Sequence, residues 1–231
     1  MKEEIYSVEV WPPIIRLLHL LMAATVSILL LTGLLMSSGM ILNEVLYQHL
    51  LTVWHLPAGH VLLGVIAVRF ILLIVRRDVL GWRALMPDNI RDILKVAVFY
   101  LSFARMQLPA YFAHNPLWKL LYLAIYMLLV VQALTGLLLE SAWLRSVLRT
   151  DSSTALMQHQ ALLEIILVVV VMHIITSLLH DWKSPSAEIS SIINGRKFFH
   201  VDKSNNSINV DKPVSVSLDS LAGNNKSTDK N

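Results

Sequence analysis

Cysteine is absent from the 231 residues. That excludes disulfides, thiolate zinc sites and cysteine-held iron–sulfur clusters, and it excludes haem attached through C-x-x-C-H. Charged residues make up only 15% of the chain, against about 25% in an ordinary soluble domain. The basic residues form no patch of the kind a nucleic-acid surface needs, so no nucleic-acid partner is expected. A basic leader is also lacking. Met1 to Val10 carries Glu3, Glu4 and Glu9, so no cleavable signal peptide is expected. No nucleophile–base pair, phosphate loop or paired catalytic carboxylate is visible, and no catalytic residue is assigned.

What is abundant is apolar side chain. Hydrophobic residues are 55% of the total, and the mean hydropathy is +0.61. Four apolar runs approach the ~20 residues that a helix needs to cross about 30 Å of hydrocarbon. They lie at about Ile14–Met36, Val53–Val75, Leu117–Leu139 and Ala161–Leu179. Helix is the conformation expected, because an open strand would leave backbone groups unpaired in lipid. The expected fold is therefore all-α, an integral membrane four-helix bundle over residues 1–183. A polar tail follows at 184–231, rich in Asn, Ser, Lys and Asp and expected to be mostly disordered after 200. Within it, Glu188–Phe199 is expected to form a short surface helix ending near Asn194-Gly195.

Lysine and arginine set the expected orientation. The segment 37–57 has none, and the connection between helices 3 and 4 has Arg145 and Arg149. The connection between helices 2 and 3 has Arg76, Arg77, Arg83, Arg91, Lys95 and Arg105, and the tail has seven more from Lys183 to Lys230. Both termini and the 2–3 connection are expected on the cytoplasmic side. Within that connection Ile90, Ile93, Leu94, Ala97, Val98, Leu101 and Ala104 recur at helical spacing among charges, which predicts an interfacial helix on the cytoplasmic surface. Leu31-Thr32-Gly33-Leu34-Leu35 is echoed by Leu134-Thr135-Gly136-Leu137-Leu138. The echo is read as small residues that let helices approach.

Histidine inside a span is costly and marks function. His19 and His173 lie at matching depth near the cytoplasmic ends of helices 1 and 4, and His60 and His159 at matching depth near the periplasmic side. His159 and His173, fourteen residues apart, share a helix face and lie about 21 Å apart along the axis. Paired as His60 with His159 and His19 with His173, they would be axial ligands to two non-covalent haem groups. Iron so saturated favours electron transfer over substrate activation. His55, five residues before His60 and about 140° round the helix, is the rival ligand. Gly64, four residues after His60, offers a close backbone to a flat ring. Arg16, one turn before His19, and Arg69 in helix 2 are candidate partners of haem propionates, with a helix neighbour the other option for Arg69.

These residues resemble the b-type cytochrome subunit of nickel–iron hydrogenases, within the bacterial di-haem transmembrane cytochrome b superfamily. The matching pieces are Arg16-x-x-His19 with Leu31-Thr-Gly33, His60-x-x-x-Gly64 with Val68-Arg69, His114-Asn115-Pro116-Leu117, Thr135-Gly136, and His159 with His173 and Asp181. The resemblance covers about Trp11 to Phe199. It implies two haem b groups on His19, His60, His159 and His173, and a location in the bacterial inner membrane. It implies a periplasmic hydrogenase dimer, with iron–sulfur small subunit and catalytic large subunit, as partner. Quinone would be the electron acceptor near the cytoplasmic haem, with Asn115 as its hydrogen-bond donor or as the cap of helix 3. Reverse flow, quinol oxidation feeding a periplasmic reductase or a c-type cytochrome, is the alternative. A non-redox transport or metal-binding protein, which would hold metal without porphyrin, is the third reading.

Overall fold

The computed structural model describes residues 3–40, 43–78, 80–86, 89–102, 116–183 and 188–202. Its elements in chain order are β1 (Glu3–Glu9), α1 (Pro13–Ser37), α2 (Glu44–His49), a π-helical segment (Leu50–His55), α3 (Leu56–Val75), a 3-10 turn (Trp82–Leu85), α4 (Ile90–Leu101), α5 (Pro116–Glu140), α6 (Ala142–Leu148), α7 (Ser152–Lys183), α8 (Glu188–Asn194) and β2 (Arg196–Asp202). Four helical stretches are long and apolar enough to cross a membrane: Pro13–Ser37, Glu44–Val75, Pro116–Glu140 and Ser152–Leu179. The all-α expectation holds, and the chain is a multi-pass membrane helical protein.

Two of the four stretches start about nine residues earlier than their apolar runs. Asn43 begins the second, its side chain accepting from the Val45 and Leu46 amides. Asp151 begins the fourth, accepting from the Thr154 amide and from both the Ser153 and Thr154 hydroxyls. Such caps satisfy the orphan donors of a first turn and let helix extend past the apolar run. The π segment has a local cause. Pro57 lacks an amide hydrogen, so the carbonyl one turn before it loses its α-helical partner. The ladder shifts accordingly, with the Leu56 amide bonding Leu51 O, five residues back.

The chain divides into two compact units. One comprises Leu17–Leu85 and Leu120–His173. Its core joins Val26 and Leu30 of α1, Leu62 and Ile66 of α3, Leu129 of α5 and Ile166 of α7, so all four long helices meet there. Large apolar side chains such as Leu31, Ile71, Ile74 and Val168 point outward, the arrangement expected of helices that face lipid. Thr25 and Ser27 donate to carbonyls one turn back, Leu21 O at 2.8 Å and Ala23 O at 2.7 Å, which satisfies hydroxyls that lipid could not.

The other unit comprises Met1–Arg16, Met86–Lys119 and Ile174–Asn231. In it β1 and β2 pair antiparallel, from Glu3 opposite Asp202 to Glu9 opposite Arg196. This pairing was not expected from the sequence. The helix expected over Glu188–Phe199 ends at Asn194, and the chain then turns at Gly195 (φ +85°) into β2. A Cβ on Gly195 would lie 3.0 Å from Trp11 O, so glycine is required by both conformation and space. The Val10 amide donates to Gly195 O at 2.8 Å, and Trp11 Nε1 donates to Ser191 Oγ at 3.2 Å. Residues 203–231, expected to be disordered, lie outside the described residues. In α4, Val96 and Phe99 are buried while Ile90, Leu94, Val98 and Leu101 form an exposed apolar stripe. Twelve residues reach about 18 Å, too short to span, and the exposed stripe suits a helix lying in a membrane interface.

Candidate functional site

α3 turns one stripe inward. Its buried residues Ala58, Leu62, Val65, Ile66, Arg69 and Leu73 recur at three- and four-residue intervals. His55 continues that stripe backwards, while His60 is exposed, lies off the stripe and lines the cavity described below. Arg69 fixes the rotation. It is 3% exposed, its Nη1 donates to Leu80 O at 2.6 Å and its Nε to the Tyr126 hydroxyl at 3.3 Å, and its guanidinium lies 5.6 Å from the Tyr126 ring centre. Of the two partners expected for Arg69, the structure supplies the helix neighbour.

The expected pairing of His60 with His159 is therefore corrected: His55 faces His159, with ring centroids 6.2 Å apart and planes at 73°. His60 donates from Nδ1 to Leu56 O at 2.8 Å and meets the Glu140 carboxylate through Nε2 at 3.3 Å. Among the described residues, no protein atom lies within 4 Å of where a Cβ on Gly64 would stand. Gly59, four residues after His55, lines the cavity described below.

The second expected pair is present. His19 of α1 and His173 of α7 have ring centroids 6.4 Å apart and planes at 56°. The Nδ1 of His19 is buried without a hydrogen-bond partner among the described residues, an arrangement that is costly unless another group completes the site. Arg16 donates through Nη1 to Ile193 O at 2.8 Å, at the end of α8. Asn115 lies outside the described residues, so neither of its expected roles can be placed.

Both imidazoles of the first pair are held from behind. The Thr32 hydroxyl lies 2.8 Å from His55 Nδ1, and the Thr135 hydroxyl 2.9 Å from His159 Nδ1. A Cβ on Gly33 would be 3.7 Å from His55 Cε1, and one on Gly136 3.4 Å from His159 Cε1. The Leu-Thr-Gly echo thus places one threonine and one glycine against each ring. Gln132 adds two contacts to His159, to its carbonyl at 3.2 Å and to Nε2 at 3.3 Å. Sequence reasoning passed over Thr32, Thr135, Gln132 and Glu140. The repeat itself was the available signal, and packing explained it without chemistry. A cavity of about 310 Å³ opens beside this pair, lined mostly by apolar residues with Gly33, Gly59 and Gly136 among them.

The distances fit one kind of occupant. A metal–imidazole bond is about 2 Å and a ring centre lies about 1.1 Å behind its nitrogen, so two imidazoles on opposite sides of one ion have centroids about 6.2 Å apart. Both pairs are at that span. Among the described residues no three His, Cys, Asp or Glu side chains converge, so a protein-only tetrahedral ion site is not formed. Paired imidazoles at that span, one pair beside a mostly apolar cavity, match haem.

A family model for prokaryotic cytochrome b561 matches residues 10–195. The chain belongs to that family. This bears out the resemblance read from the sequence and makes the chain a membrane b-type cytochrome that binds haem b and takes part in electron transfer. Searches of curated proteins and of solved structures found no match. Among the described residues of this b561-type cytochrome, the imidazoles of His19 and His173 and of His55 and His159 have the spacing that fits haem.

Proposed function

We propose that this cytochrome carries electrons through two haem b groups, one held by His55 and His159 and the other by His19 and His173, between a periplasmic redox enzyme and the quinone pool. The observation that carries the reading is the pair of imidazole spans, 6.2 and 6.4 Å, each suited to an iron with two axial nitrogens. His159 and His173 are fourteen residues apart on α7, so the two levels are separated by about 21 Å along the helix. Haem groups held by these histidines at the two levels would allow an electron to pass from one to the other. Haem supplies the one-electron redox chemistry. The chain's own part is to fix the rings and exclude water with apolar helices, and the paired imidazoles would hold the haem iron.

Family resemblance supports a nickel–iron hydrogenase dimer as the periplasmic partner and quinone as the acceptor. The charge bias of the sequence supports cytoplasmic termini, with the His55/His159 level toward the periplasm. The test is stoichiometric. Purified protein should carry two b haems per chain with low-spin absorption bands, and His173→Ala should carry one. A haem content unchanged in His173→Ala would sink the assignment of that pair. Reduction of a quinone analogue by membranes supplied with hydrogen and the partner dimer, lost on deletion of this chain, tests the direction.

A further inference from the structure

A threonine hydroxyl has one proton and two acceptor lone pairs. Thr32 Oγ1 donates its proton to Ile28 O, 2.7 Å away and one turn back in α1. Thr135 Oγ1 donates its own to Gln132 O at 2.8 Å. Each hydroxyl is left with only acceptor capacity toward the imidazole nitrogen it touches. With both hydroxyl protons on those carbonyls, the contacts at 2.8 and 2.9 Å assign the ring protons of His55 and His159 to Nδ1. Nε2 of each ring is then the acceptor nitrogen, the form a metal takes; that of His159 accepts from Gln132 Nε2 at 3.3 Å.

From this we infer that Thr32 and Thr135 are a matched pair of positioning residues, which lock the tautomer and aim of His55 and His159 and tune the redox potential of the haem they hold. The inference rests on the proposed ligation by that pair. The two threonines come from different helices, α1 and α5, and each serves a ring on another, the π segment and α7. Each is followed by a glycine whose missing Cβ leaves room beside Cε1 of the same ring. The Leu-Thr-Gly repeat is thus one device used twice, once for each side of one metal. A proton held by an acceptor raises the basicity of the ligating nitrogen, which favours the ferric state and lowers the potential.

The experiment uses purified full-length cytochrome with both haems. Thr32→Val and Thr135→Val keep the side-chain shape and remove the acceptor. Each should retain two haems and move the midpoint of one of them positive, the other staying in place. The expected change is about three- to tenfold in the ferric-to-ferrous ratio at fixed potential, up to about 59 mV for one electron. The double variant should add the two shifts, because each acts on a separate ring. Thr32→Ser and Thr135→Ser, which keep the oxygen, should restore the wild-type midpoint. In wild-type protein labelled with ¹⁵N-histidine, the Nδ1 protons of His55 and His159 should be hydrogen-bonded and slow to exchange. The labelled-protein measurement carries the test should a valine variant not assemble. Unmoved midpoints in haem-replete valine variants, equal shifts in valine and serine variants, or freely exchanging Nδ1 protons would each overturn the inference. Failure of the ligation itself reads differently, as unchanged haem content in His55→Ala.

Discussion

Replacing His55 and His60 separately by alanine distinguishes two ligand sets that local sequence makes equivalent. The residues are five apart, so bringing His60 to His159 needs a rotation of α3 by about 140°. That rotation would carry Arg69, now 3% exposed, away from Leu80 O and Tyr126 and toward lipid. An arginine facing hydrocarbon costs about 2.5–3.5 kcal/mol on insertion scales, a factor of roughly 10² in population. The arrangement with His55 inward therefore dominates on that ground alone, before the Thr32 contact at 2.8 Å is counted. Haem per chain, measured as pyridine haemochrome against protein concentration, should fall from two to one in His55→Ala and stay at two in His60→Ala. The remaining haem in His55→Ala should keep the midpoint of the His19/His173 centre. Loss of haem in His60→Ala with retention in His55→Ala would refute the reasoning about helix rotation, and with it the pairing.

Three further outcomes follow from the packing. Arg69→Leu strands the buried Leu80 carbonyl and removes the Tyr126 contact, so it should lower stability by about 1–3 kcal/mol, read as a lower melting temperature in detergent. Gly195→Ala forces a side chain into φ +85° and toward Trp11 O; it should cost at least ~1–2 kcal/mol and speed proteolysis near β2. At Asp151, hydrogen bonds from the Ser153 hydroxyl, then from the Thr154 amide and hydroxyl, hold the carboxyl well below the usual carboxylate range. A depressed folded-state value means that the cap's stabilisation is present above the unfolded pKa of about 3.9 and is lost as pH falls below it. Amide exchange at Thr154 and Ala155 should therefore accelerate, relative to mid-helix amides, as pH is lowered through that range, and Asp151→Asn should flatten the dependence.

Much of the site was legible because its signals are local. His19 and His173 follow from depth, and the shared face of His159 and His173 from helical periodicity. His55 was legible too, had Arg69 been used as a compass. Fourteen residues separate Arg69 from His55, which puts them about 40° apart, while nine separate it from His60, which puts these on opposite sides. A buried cation has to face protein, so the residue opposite it faces away. The helix starts at Glu44 and Ser152 were harder to see, because capping by Asn43 and Asp151 extends helix beyond the apolar run that periodicity detects.

The sequence by itself determined four membrane-crossing helices, a cysteine-free and therefore non-covalent haem site, and histidines at two depths, because hydrocarbon thickness and the absence of thiols admit few alternatives. The tertiary structure alone decided which histidine of the second span meets His159, which hydroxyls stand behind the rings, and that residues 3–9 pair with residues 196–202. Those choices depend on the rotation of packed helices and on contacts across more than twenty, and in one case nearly two hundred, residues. No local propensity carries that information, since propensity concerns neighbours along the chain and these partners are brought together only by packing.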